Sequence, residues 1–156
     1  MEYLMTYGWA ILIVIIVAAA LYALGVFNPA TYTGARSTGF ANIGQPATGD
    51  WKISAAAAEN QFQLNLKNNL GSRLYFTAAS VKIGATDCTG EDFNDATYDN
   101  VANITIGSGG EFTVEANCGT LQSGNSYTAS VELTYDNLDS GLTGFKEIGT
   151  LTGTVS

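Results

Sequence analysis

MEYLMTYGWAILIVIIVAAALYALGVF, residues 1–27, decides how the rest of this chain is read. Between Glu2 and Arg36 no side chain carries a charge, and the 19 residues from Trp9 to Phe27 are almost wholly apolar. A helix rises about 1.5 Å per residue, so this run matches a hydrocarbon core about 30 Å thick. It exceeds the roughly 7–15 apolar residues of a secretory signal, and no Lys or Arg precedes it. Apolar side chains cover every helical face, so lipid or other protein must surround the helix.

Glu2 is the one charge on this helix. At the N-terminal end it is favoured by free backbone amides and by the helix dipole, worth about 0.3–1 kcal/mol. The alternative is a cation from a neighbouring subunit, such as that neighbour's α-amino group. An unpaired carboxylate in an apolar helical core is costly, so pairing would mark the register. Gly8 and the alanines Ala18, Ala19, Ala20 and Ala23 allow close approach of neighbouring helices, although a plain membrane anchor carries them as well. The β-branched run Ile13–Val17 has modest helix propensity. Gly25 loosens the last turn, and Pro29 stops the helix by pushing Asn28 toward extended geometry.

The run Glu2-Tyr3-Leu4-Met5-Thr6-Tyr7-Gly8-Trp9-Ala10-Ile11-Leu12 resembles the mature N-terminus of archaeal type IV pilins, the group with a class III signal peptide. The resemblance is close over residues 2–27, and Glu2 stands where the family has its glutamate. It implies a helix that bundles with its neighbours into the core of an extracellular filament. Members usually carry a short basic leader and several residues ahead of that glutamate. Here one residue precedes it, so the leader has been removed, the processing point differs, or the start is truncated.

Composition bounds the rest. A chain of 156 residues holds one helix and one modest domain. A net charge of −8 and a pI near 4.1 argue against nucleic acid and anionic lipid surfaces as partners. The six Lys and Arg are scattered over residues 36–146. Histidine is absent, which removes Ser-His and Cys-His catalysis and the commonest metal ligand. Only 13% of residues are charged, while Thr and Gly number 18 each, a composition suited to a β-rich surface protein.

Residues 29–49 read as a connector, with both prolines of the chain in it and a short strand or turn around Phe40–Ile43. From Asp50 the pattern changes to period two. Phe62, Leu64 and Leu66 alternate with polar residues, as do Tyr127, Ala129, Val131, Leu133 and Tyr135. Further strands are expected at Trp51–Ala55, Leu74–Ile83, Ala102–Ile106, Glu111–Ala116 and Phe145–Val155, with turn-forming Asn and Gly clusters between them. Gly149 and Gly153 in the last run suggest a bulge or close backbone packing. The fold class is therefore α+β: helix 1–28, then an antiparallel β-sandwich of immunoglobulin-like type over 50–156. The order Phe62…Leu66, Asn68, Gly71, Leu74…Val81 also resembles the head domain of the same pilin family.

Cys88 and Cys118 suit one disulfide in an oxidising compartment, worth roughly 3–4 kcal/mol for a loop of this length. Between them and beside Cys88 stand Asp87, Glu91, Asp92, Asp95 and Asp99. They read as a solvated acidic loop; calcium is the weaker alternative, since the spacing is not that of an EF-hand loop. Asn103-Ile104-Thr105 is a glycosylation sequon, and an inward Ile104 puts Asn103 outward.

These readings lead to a non-enzymatic structural protein, a pilin that polymerises through its helix with Glu2 and Gly8 at the subunit contacts, with no cofactor and no metal. Self-association and the membrane are its expected partners, and the resemblance adds a prepilin peptidase and a pilus assembly machinery. The alternatives are a minor pilin, an anchored surface protein whose head binds a ligand, and an archaellum-type subunit.

Overall fold

The computed structural model describes residues 1–24, 26–27, 34–44, 49–58 and 61–156. It divides into two units, Met1–Tyr32 and Thr33–Ser156. The chain is α+β: one long apolar helix, then two antiparallel sheets.

In the first unit, α1 spans Glu2–Ala23, 22 residues, or about 33 Å at the usual rise. Leu24 keeps a helical conformation (φ −78°), and its N–H bonds the Ala20 carbonyl at 2.9 Å. The Val26 N–H then reaches back to the Leu21 carbonyl at 3.1 Å, so the last turn widens. The loosening expected at Gly25 and the stop expected at Asn28 and Pro29 lie outside the described residues.

Among the described residues the second unit holds eleven strands: β1 Arg36–Gly39, β2 Ile43–Gly44, β3 Trp51–Ile53, β4 Phe62–Asn68, β5 Leu74–Ile83, β6 Thr86–Asp87, β7 Thr89–Asn94, β8 Ile104–Ile106, β9 Glu111–Asn117, β10 Ser126–Asn137 and β11 Leu142–Thr154. The first sheet runs β1-β11-β10-β5-β6, with β8 also paired to β5. The second runs β2-β4-β9-β7, with β3 also paired to β4. Period-two alternation decides which faces meet. Phe62, Leu64 and Leu66 of β4 are buried, as are Ala129, Val131 and Leu133 of β10. The two inner faces share one core. The Phe76 ring of β5 packs, tilted, with its centroid 4.5 Å from Phe112 of β9 and 5.9 Å from Phe93 of β7, so aromatic rings join the two sheets.

The boundary expected at residue 50 moves. Arg36–Gly39 pairs along β11 and Ile43–Gly44 beside β4, with Phe40 and Ile43 buried. Much of the expected connector therefore belongs to the head. Its strands are short and lack alternation, and Gly39 (φ 90°) and Phe40 (φ 55°) turn the chain between the two sheets. A turn at Phe40–Ile43 is present as expected. Residues 29–33 and 45–48 of the expected connector lie outside the described residues.

Close packing at Gly149 and Gly153 is also present. A Cβ on Gly149 would lie 2.0 Å from the Phe40 ring, and one on Gly153 would lie 2.8 Å from the Tyr127 hydroxyl.

Candidate functional site: the apolar helix and the surface of the head

No residue of α1 is buried within its own unit, and the helix is long and apolar enough to cross a membrane. It has the length and composition of a membrane anchor or a signal segment. Leu12, Val14, Ile15 and Ile16 are all more than half exposed, so no face of the helix is covered within its own unit. Met1 occupies the N-cap position without a side-chain hydrogen bond, and Glu2 is the acidic residue of the first turn. The Thr6 hydroxyl donates to the Glu2 carbonyl at 2.9 Å, satisfying its own polar group inside the apolar helix. Tyr3 and Tyr7 stack one turn apart at 6.5 Å. Among the described residues, every ion pair lies in the head, and Glu2 takes part in none. Beyond the adjoining residues and the backbone of its own helical turns, a Cβ on Gly8 would have no atom of the chain within 4 Å.

Cys88 and Cys118 form a disulfide with their Cα atoms 4.2 Å apart. Cys88 sits where the chain leaves β6 of the first sheet and enters β7 of the second; Cys118 follows β9. The bridge thus pins the crossover between the sheets.

The acidic residues near it do not form one loop. Asp87 is on β6 and pairs with Lys82 at 2.9 Å, and that hydrogen bond holds the Lys82 pKa above its ordinary value. Glu91 and Asp92 lie on β7. Asp95 accepts the N–H groups of Thr97 and Tyr98 at 2.6 and 2.7 Å, closing a turn. Among the described residues no three such ligands come together as a metal would require. β7 escaped the sequence reading because TGEDFN carries one inward apolar residue, Phe93. Asn103 is exposed just ahead of β8, and the next residue, Ile104, is buried, the geometry expected of an accessible sequon.

Three buried polar side chains organise the head; the sequence reading marked Asn68 only as part of a turn and gave Gln61 and Glu147 no role. Gln61 accepts the Cys118 N–H at 2.7 Å and donates to the Ser54 carbonyl at 3.0 Å. Asn68 donates to the carbonyls of Ser72, Ile106 and Gly107 and accepts the Leu70 N–H at 3.0 Å, tying the β4–β5 turn to the β8–β9 turn. Glu147 accepts both the backbone and the side-chain N–H groups of Asn42, at 2.9 and 3.0 Å, and anchors the corner between β1 and β2. Parity gave a signal for Asn68, since residues 62, 64, 66 and 68 share the inward face of β4.

Compared with known proteins, the chain matches no family model, no curated protein and no solved structure.

Proposed function

We propose that this chain is a filament subunit of the archaeal type IV pilin kind, held in the membrane by α1 before assembly and displayed outside the cell afterwards. The observation that carries the reading is the pairing of an all-round apolar helix, charged only at Glu2, with a head that has its own core. Gly8 adds support. Glycine inside a helix costs about 1 kcal/mol relative to alanine. Here it has no positive φ and no crowding within its own chain to justify it. Close approach by a neighbouring helix is the use for such a residue.

Exchange of lipid for neighbouring helices moves apolar surface between two dry surroundings, so it contributes little by itself. Packing at small residues, pairing of Glu2 and contacts between heads must supply the stability of the filament. The resemblance implies that a prepilin peptidase trims the leader and that an assembly machinery extracts the subunit from the membrane. Asn103 is the residue offered for glycosylation on the outer face.

The head is read as an immunoglobulin-like sandwich. In support, β3-β4-β9-β7 follows the A-B-E-D order of that fold, and β5-β10-β11 follows C-F-G. β1 adds an extra edge strand beside β11, and the disulfide does not join the B and F positions.

Glu2→Ala and Gly8→Val test the proposal. Both are expected to leave a membrane-held subunit with a folded head and to reduce sheared filaments at least about tenfold. Normal filament yield from both variants would contradict it.

A further inference from the structure

The outer face of the second sheet carries an open groove of about 580 Å³. Its floor is set by register: Asn65 of β4, Thr113 of β9 and Asn94 of β7 stand opposite one another on three adjacent strands. At the usual strand spacing this row is about 9.6 Å long. Lys67 and Glu111 form the next row, and Asp50 and Asp95 stand among the lining residues. Leu66 and Phe112 also line the groove, but both are buried in the core. Apart from these two and Ala96, the side chains lining the groove are polar or charged.

The hydrogen bonds within it show what is left for a ligand. Asn65 Oδ1 accepts the Thr113 hydroxyl at 2.6 Å, and Asn94 Oδ1 accepts the Asn100 N–H, so among the described residues both amide NH₂ groups remain as donors. Asp95 uses Oδ1 for two backbone N–H groups, leaving Oδ2 as an acceptor. Donors along the floor and acceptors beside them suit a ligand whose groups both donate and accept, as hydroxyls on adjacent carbons do. Asp50, Asp95 and Glu111 against Lys67 leave the groove net negative, which disfavours polyanions.

We infer that this groove binds neutral oligosaccharide. The inference concerns the head alone and does not rest on the filament reading. The lining has no aromatic platform, so affinity at a single site is expected in the millimolar range.

The test uses the full chain as a detergent-solubilised, isotope-labelled monomer, so filament formation does not enter. Maltose and N,N′-diacetylchitobiose are the neutral probes, and a heparin tetrasaccharide is the anionic one. Saturable shifts in the backbone amides of Asn65, Lys67, Asn94, Asp95 and Thr113 are expected with at least one neutral sugar. Asn65→Ala and Lys67→Gln, both on the sheet's outer face, are expected to weaken that binding about two- to tenfold while the rest of the amide spectrum is unchanged. No saturable shift with either neutral sugar, shifts confined to other faces, equal binding of heparin, or full binding by both variants would overturn the inference.

Discussion

Gly149 has no room for a side chain, because the buried Phe40 ring lies across its backbone. Gly149→Ala is expected to cost about 1–3 kcal/mol, read as a lower urea midpoint with an unchanged slope. Asn68→Ala should cost at least about 2 kcal/mol, because it strands several buried backbone groups at once. Burial raises the Tyr127 pKa, with a hydrogen bond to Trp51 pulling the other way. Burial favours the neutral phenol, so the folded value lies above the unfolded one. This contribution is whole below about pH 10 and is lost as pH rises through the raised folded value. The head's melting temperature should therefore fall above about pH 10, and Tyr127→Phe should flatten that fall. At this scale the sequence was half legible. Ile104 in and Asn103 out followed from parity, and the close packing at Gly149 and Gly153 from glycines inside a strand run. Glu147 and Gln61 did not, because their partners, Asn42 and Cys118, lie 105 and 57 residues away.

Long strands with alternating residues, β4, β9 and β10, were legible because one side chain in two must enter the core. β1, β2, β6 and β7 were not, because short edge strands draw their geometry from a partner rather than from their own pattern. β7 depends on β9 for pairing and on the Cys88–Cys118 bridge for its position. Reduction of the bridge is expected to cost roughly 3–4 kcal/mol. Amide exchange should rise first along Thr89–Asn94, ahead of β10. Uniform exchange across both strands would show that the bridge acts on the whole head instead. The helix was the most legible element of all, since 22 residues with one terminal charge admit few conformations in lipid.

At the scale of the whole molecule, the helix and the head divide the work. α1 offers an apolar cylinder that no part of its own unit covers, and the head folds around its own core. Both are accounted for if many copies bundle their helices and display their heads. Repetition would also let a weak sugar-binding groove act through many sites at once. The composition, with a net charge of −8 and a disulfide, suits exposure outside the cell. The most direct test is electron microscopy of material sheared from the source cells, with mass spectrometry of the filament fraction. The account predicts thin, uniform filaments in which this chain is the dominant protein, with Glu2 in its N-terminal peptide. Recovery of the chain only with the membranes, and from no filament, would contradict it and leave α1 as an anchor.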